Sequence, residues 1–198
     1  MIRYCEIMEL LDHQSMVQEA IDTSMSLSLP NWCIVGGLIR DLAWGRILGR
    51  SVMPRDIDLI YFDAADISPE KDWQIEGHLR KLSGLPFRVN NQARMHQFNS
   101  EASYTSVIDA MSKFPTTVSA IGISGSNDRA PLVFSIFGYG ALFKPVFQIT
   151  PHFKRSSRQD DFNRYLRRNG LFDRWPEVPV ETSLVCKTCT GGFAQEVY

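Results

Sequence analysis

Residues 35–41, VGGLIRD, and residues 55–59, RDIDL, are the stretch of sequence that decides how this chain of 198 residues folds. The apolar residues 32–35 (WCIV) predict a short buried strand, which the two glycines after it stop. Residues 38–49 return to helical spacing, and residues 56–62 (DIDLIYF) predict a second strand. A strand, a glycine turn, a helix and another strand in succession indicate an α/β (α+β) fold.

The acidic pair in the second predicted strand is the most informative feature of the sequence. Asp56 and Asp58 are two residues apart, so on a strand their side chains project from the same face. Two neighbouring carboxylates repel each other unless a cation lies between them, and such oxygen ligands suit Mg²⁺ or Mn²⁺. An isolated Asp-x-Asp is also common at a solvated strand end, so the pair alone leaves both interpretations open.

The glycine turn before the helix predicts a phosphate site. Gly36 and Gly37 would let the backbone approach a ligand closely, and the N–H groups at the helix start attract phosphate. Arg40 lies on the first turn, where it would contact a phosphate oxygen or pair with an acid. Without the acidic pair, two glycines would indicate a tight turn and nothing more.

The rest of the chain predicts further helices and strands around this unit. Helices are predicted at residues 7–25, 73–82, 106–114 and 160–169, and strands at residues 87–89, 118–123 and 132–137, the last two as a hairpin around residues 125–128. We assign residues 1–150 to one domain and residues 151–198 to a C-terminal helical extension with a loosely ordered tail. Both are expected to belong to one compact unit.

Composition limits the kind of partner. The chain has 21 Lys and Arg against 22 Asp and Glu, a net charge of −1, and 44% hydrophobic residues. The chain as a whole is therefore not a basic nucleic-acid-binding arm, an acidic tail or a disordered protein. A polyanionic substrate would have to be held by a local patch or by metal ions.

The sequence favours a cytoplasmic location without a membrane partner. The first residues lack the pattern of a signal peptide, and the longest uncharged stretch, residues 130–143, is too short for a membrane span. Four cysteines show no disulfide-framework spacing. Cys186 and Cys189 have the spacing of half a zinc site, but no Cys or His follows them, so we expect no function there.

Taken together, the two quoted segments resemble the nucleotidyltransferase superfamily of DNA polymerase beta. The pattern is similar to the heads of CCA-adding tRNA nucleotidyltransferases, and closer to a group of small bacterial nucleotidyltransferase family proteins. The resemblance covers roughly residues 29–176. It is carried by residues 32–41, 56–63 (DIDLIYFD), 91–96 (NQARMH), 109–115 and 174–176.

This resemblance implies a nucleotidyltransferase fold, with a short mixed β-sheet flanked by helices. Gly36, Gly37 and Arg40 would bind the triphosphate of an NTP, and Asp56 and Asp58 would be the catalytic residues and the Mg²⁺ or Mn²⁺ ligands. The enzyme would transfer an NMP to a hydroxyl acceptor and release pyrophosphate. The resemblance also implies a bacterial enzyme.

A polar cluster after the third predicted strand is the next candidate for nucleotide binding. The resemblance implies that Arg94 contacts a phosphate and that Asn91 or His96 contacts the base, the ribose or the acceptor. The alternative is a hydrogen-bonded loop that supports the sheet.

The sequence departs from the superfamily where a third carboxylate is often found. The third strand ends in Asn90 and Asn91, and an amide is a weaker metal ligand that cannot act as a general base. Asp109 would either supply the missing charge or cap its own helix. A second departure is residues 137–143, FGYGALF, where relatives tend to carry acids, so contacts there are expected to be lost.

Two other functions therefore stay open. One is a catalytically weak nucleotide-binding or regulatory module, and the other is a toxin-like transferase that modifies tRNA or a protein. The sequence does not name the NTP, the oligomeric state or the acceptor, which would be a small molecule, an RNA or a protein.

Overall fold

A computed structural model describes residues 2–12, 14–126, 129–155 and 158–183 of the chain. Its central sheet has five strands, with β3 and β5 at the edges in the order β3-β2-β1-β4-β5. The strands are β1 (Cys33–Val35), β2 (Ile57–Tyr61), β3 (Phe87–Asn91), β4 (Ile121–Ser126) and β5 (Arg129–Ser135). Strands β2 and β3 run parallel and the other neighbours antiparallel, so the predicted mixed sheet is confirmed.

Helices flank this sheet throughout the described residues. They are α1 (Ile2–Asp12), α2 (Ser15–Met25), α3 (Gly37–Ile47), α4 (Pro69–Ser83), α5 (Gln92–Asn99), α6 (Val107–Met111), α7 (Gly140–Phe143), α8 (Pro151–Arg155), α9 (Gln159–Arg168) and α10 (Leu171–Arg174). A 3₁₀ turn covers Thr117–Ser119, and two short parallel strands, β6 (Phe147–Gln148) and β7 (Val180–Glu181), form a second sheet.

Several predicted boundaries were wrong, for local reasons. The single helix expected at residues 7–25 is two helices, because the chain becomes extended at Gln14. Helix α4 begins at Pro69, since proline suits a first helical turn and Glu70 and Asp72 follow it there. The predicted hairpin is confirmed as β4 and β5, although residues 127–128 of its turn lie outside the described residues.

The C-terminal helices pack on the same core as the sheet. Phe162 and Leu166 of α9 are fully buried, and Trp175 packs edge-on against Trp44 of α3 with 5.5 Å between ring centroids. The described residues after 150 therefore add directly to the core beside the sheet. Cys186 and Cys189 lie outside the described residues.

Among the residues that the structure describes, none of the helices combines the length and the apolar character that a bilayer crossing requires.

Candidate active site

The start of α3, the two predicted catalytic carboxylates and the C-terminal helices enclose one cavity. Its volume is about 500 Å³, within the range that accommodates a ligand the size of a nucleotide. Gly36, Gly37, Asp56 and Asp58 all line it. The structure therefore brings together the two segments from which the sequence interpretation began.

The glycine turn owes its shape to Gly36. This residue has φ +68° and ψ −107°, a conformation close to the first central position of a type II′ turn, which glycine dominates. The peptide N–H of Gly36 donates to the carbonyl of Ile121 in β4, while its own carbonyl accepts from the N–H of Arg40. The turn is thus fixed on the sheet on one side and begins α3 on the other, which exposes the helix start to the cavity.

Gly37 is not needed for the backbone conformation of the turn. Its φ is not positive, and a Cβ built there would meet Arg40 Nη2 at 3.7 Å, which is ordinary van der Waals contact. A side chain at this position is therefore compatible with the fold but would enter the space where a phosphate approaches. The conformation of the turn therefore requires Gly36, whereas close approach of a ligand depends on the missing side chain of Gly37.

Substitution of each glycine should separate these two roles. We expect Gly36→Ala to cost about 1 to 3 kcal/mol of unfolding free energy, because alanine is strained at this φ and ψ. Gly37→Ala should unfold near the wild-type temperature but bind NTP more weakly. Thermal melting and calorimetric titration with NTP would check both expectations. Unchanged NTP affinity in folded Gly37→Ala would move the phosphate site elsewhere.

The two aspartates lie at the entry to β2 and within it. Asp58 pairs with Val35 of β1 and with Arg88 of β3, and Asp56 immediately precedes the strand. Arg88 Nη1 donates to Asp56 Oδ2 at 3.2 Å. Burial, and then the neighbouring charge of Asp56, raises the pKa of Asp58 to about 6. Arg88 therefore does not fully offset the negative charge of the two aspartates.

Arg40 lines the cavity, as predicted for a phosphate ligand, but its charge already has a partner. Its guanidinium is buried and bonds Asp41 Oδ1 at 2.8 and 2.9 Å. Asp41 also accepts from Arg174 Nε at 2.8 Å and from Trp175 Nε1 at 3.1 Å. Asp41 therefore fastens Arg174 and Trp175 to α3. Arg40 pairs with this acid, which the sequence had left open beside contact with a phosphate.

The residues of the predicted polar cluster do not form one site, because those that follow Asn91 belong to helix α5. Asn91 ends β3 and caps α5, with its Oδ1 accepting from the N–H groups of Asp63 and Ala93. Its Nδ2 donates to the carbonyls of Asp63 and Asp66. These contacts support the neighbouring loop and leave Asn91 outside the cavity lining.

Arg94 and His96 also lie outside the cavity lining. Arg94 pairs with buried Asp72, which accepts a hydrogen bond from Tyr61 as well. His96 packs edge-on against Tyr104, with its Nε2 at 3.4 Å from Ser103 Oγ. Nucleotide contact by this cluster stays a prediction for which the structure supplies no geometry.

Different residues of the same segment face the cavity. Asn90 of β3 pairs with Ile60 and lines it, as do Gln92, Met95 and Asn99 of α5. The spacing 92, 95 and 99 defines one helical face, which residue 94 does not share. His96 lies at the margin of this face, where its ring packs against Tyr104. A helix beginning after an Asn cap was the signal in the sequence that would have identified this face.

The carboxylate of Asp109 bonds groups that lie just before and just after its own helix, α6. Its Oδ2 accepts from the N–H of Thr105 at 3.0 Å, and Oδ1 bonds Lys113 Nζ at 2.5 Å. Asp109 is absent from the cavity lining. Within the described residues, no group of three or more His, Cys, Asp or Glu side chains could hold a metal ion, so Asp56 and Asp58 have no third carboxylate beside them.

Removal of the Asp109 carboxylate should affect stability rather than rate. We expect Asp109→Ala to cost about 1 kcal/mol, as loss of a capping contact does, and to leave kcat within a few-fold. Lys113 holds the pKa of Asp109 below its usual value, so its contribution is present above about pH 4 and lost as the pH falls further. Urea unfolding at pH 3 and pH 7 beside a rate assay checks this, and a steep loss of turnover would contradict it.

The C-terminal helices contribute a wall of the cavity that the sequence interpretation missed. Tyr165, Arg168, Asn169, Leu171 and Arg174 line it. Tyr165 shares a hydrogen bond with Ser119 opposite, and burial raises the pKa of its hydroxyl. Arg55 and Arg168 have no carboxylate partner among the described residues. The helix predicted at residues 160–169 thus brings positive charge into the cavity that the carboxylate pair also lines.

Comparison with known proteins agrees with this arrangement. A sequence model of the family described as "Nucleotidyltransferase" matches residues 22–180. The chain belongs to this nucleotidyltransferase family. No curated protein sequence matches it.

Solved structures place the fold more narrowly. An NMR structure described as revealing a CCA-adding enzyme head domain is 25% identical, with a TM-score of 0.78, and the match covers 90% of this chain and 95% of the other. A tRNA nucleotidyltransferase solved with a primer tRNA and an incoming ATP analog is 17% identical, with a TM-score of 0.50, over 82% of this chain and 46% of the other. A tRNA-processing enzyme in an apo form is 19% identical, with a TM-score of 0.50, over 82% and 44%.

The chain therefore has a nucleotidyltransferase head fold and spans less than half the length of these two larger enzymes. The expected superfamily and fold are confirmed, and nucleotidyl transfer in general is the activity that they support.

Proposed function

We propose that this protein transfers an NMP from an NTP to a hydroxyl acceptor, with a divalent metal ion held by Asp56 and Asp58 and with release of pyrophosphate. The observation that carries the proposal is the joint position of these carboxylates and the exposed start of α3 in one cavity of about 500 Å³. A helix start binds phosphate, and paired carboxylates bind the cation that accompanies a triphosphate.

The donor set fits a divalent cation. Mg²⁺ is typically bound by one or two carboxylates together with substrate phosphates and water, so two aspartates suffice. The raised pKa of Asp58 shows that negative charge is unfavourable there without a further cation. When bound, the metal would neutralise phosphate charge and lower the pKa of the attacking hydroxyl.

The protein's own residues would bind and orient the substrate. The N–H groups at the start of α3 would hold triphosphate oxygens, while Arg55 and Arg168 would offset their charge. Asn90 would orient a neighbouring hydroxyl or water by hydrogen bonding, but its amide cannot take up a proton. We therefore assign no side chain as general base, and the hydroxyl proton would pass to solvent.

Pyrophosphate release is the direct test. The protein would be mixed with each NTP, Mg²⁺ or Mn²⁺, and separate pools of RNA, protein and small hydroxyl compounds. We expect release that requires both metal and acceptor and that is absent with Asp58→Asn. Release that persists after chelation of all divalent metal would contradict the assignment of the carboxylates.

Asn90 in place of an acid favours a second candidate, a nucleotide-binding module with weak catalysis. Such a module would bind NTP in calorimetry with the same dependence on Gly37 but release no pyrophosphate with any of the three acceptor pools. The two functions therefore give different results in the same pair of measurements.

A further inference from the structure

A second concavity adjoins the candidate active site. It measures about 850 Å³ and lies between the end of α5, α8 and the outward side of α9; we call it the outer groove. Arg88, Asn99, Pro115, Tyr165, Arg168 and Asn169 line both spaces. An acceptor lying in the outer groove would thus meet the cavity at Arg88, whose guanidinium contacts Asp56.

The outer groove carries more positive than negative charge. Four arginines and two acids line it: Arg88, Arg158, Arg164 and Arg168 against Glu101 and Asp161. Arg158 pairs with both acids, and Arg164 shares Asp161 while its side chain stays 72% exposed. Arg168 has no carboxylate partner among the described residues. The groove therefore offers binding sites for one or two phosphates.

An exposed aromatic ring lies in the same groove. Phe98, near the end of α5, is 70% exposed, and the guanidinium of Arg94 lies 5.9 Å from its ring centroid. A ring that remains in water beside cations is the arrangement on which single-stranded bases stack. Ser100 and Asn99 follow it with hydrogen-bonding groups suited to a ribose 2′-hydroxyl, although the Asn99 Nδ2 already donates to the Tyr104 hydroxyl at 2.9 Å.

We propose that the outer groove binds the 3′ end of a short single-stranded RNA as the acceptor of the reaction; this rests on the proposed function. The RNA 3′-hydroxyl oxygen would form a bond to the α-phosphorus of the NTP while the bond from that phosphorus to the α,β-bridging oxygen breaks. Pyrophosphate leaves, and the hydroxyl proton goes to solvent. The net charge of −1 fits contact with a few nucleotides rather than with a long duplex.

Binding is tested apart from catalysis, by fluorescence anisotropy with a labelled RNA pentamer and no NTP. We expect Phe98→Ala and Arg164→Gln each to weaken binding roughly tenfold. Trp73→Ala, an equally exposed aromatic on α4, and Arg167→Gln, on α9 beside the groove residues, are the matched controls and should bind as wild type does. Contact with two phosphates predicts a slope of about −1.4 for the logarithm of affinity against that of salt concentration.

Several results would overturn the proposal. These are no binding of the RNA pentamer by the wild-type protein, equal binding by Phe98→Ala and Trp73→Ala, equal affinity for a DNA pentamer of the same sequence, or tighter binding of an RNA duplex. Calorimetry with NTP and the pyrophosphate assay are run in parallel. NTP-dependent pyrophosphate release without pentamer binding would reject the groove alone. Pentamer binding without release under any condition would reject the proposed function, and with it the acceptor role of the RNA, but not RNA binding by the groove.

Discussion

Asp58→Asn should abolish nucleotidyl transfer while it stabilises the metal-free protein. An amide removes one of the two carboxylates that would hold the cation, and loss of several kcal/mol of transition-state stabilisation corresponds to a fall of about 1000-fold in kcat. The pKa of Asp58 in the fold, about 6, lies above its value in an unfolded chain, so the folded state binds the extra proton. Metal-free stability should therefore fall as the pH rises from about 4 to about 6.

The variant should lack this pH dependence. At pH 7 in chelator, we expect it to be more stable than wild type by on the order of 2 kcal/mol. Asp56→Asn should lose activity to a similar degree, but with less effect on stability, because Asp56 already has Arg88 as a partner. Asp160→Asn, at an exposed carboxylate outside the cavity, is the control and should leave both quantities unchanged.

Activity and melting temperature are measured for the three variants with and without Mg²⁺. Mg²⁺ should raise the melting temperature of wild type more than that of Asp58→Asn. Full transfer activity in both Asp56→Asn and Asp58→Asn would reject the metal assignment, whatever their stability.

The sequence predicted the part of the site that local patterns encode. The alternation of Asp56 and Asp58 along a strand and the glycine turn before a helix are both short-range features, and both meet in the cavity. The strand-to-helix order around them was sufficient for the α/β class, although not for every boundary, and the mixed sheet followed from the family resemblance. Helix α5 was missed because its polar residues, QARMHQFN, give little apolar periodicity from which to find a helical face.

The remaining part of the site depends on tertiary contacts that sequence spacing does not reveal. Tyr165 and Arg168 reach the cavity because Phe162 and Leu166, on the other side of α9, are buried in the core. For Arg40 the sequence left contact with a phosphate and pairing with an acid open, because nothing in its neighbourhood along the chain shows that Arg174 would converge on Asp41. A buried ion pair between residues so distant in sequence is determined by packing.

Asp41→Ala should be the most destabilising single substitution among those proposed here. The Asp41 side chain is 3% exposed and pairs with Arg40 and Arg174, whose side chains are 7% and 12% exposed. Removing the carboxylate takes this acceptor from two largely buried guanidinium groups and the Trp175 indole N–H, of which Arg174 keeps its bond to the Met53 carbonyl. Loss of one partner of a buried ion pair typically costs 3 to 5 kcal/mol, so we expect about 4 kcal/mol here.

Asp41→Ala should also weaken the active site. Arg174 lines the cavity and is joined to α3 through Asp41, so its release would weaken NTP binding in whatever fraction of the protein remains folded. Glu177→Ala is the matched control, because it breaks an exposed ion pair of the same C-terminal segment, with Arg50 at 2.7 Å and both side chains 39% exposed. Exposed pairs contribute little to stability, and this one does not contact the cavity. Urea unfolding followed by Trp fluorescence measures both variants; if Asp41→Ala loses no more stability than Glu177→Ala, Asp41 does not hold α10 to α3.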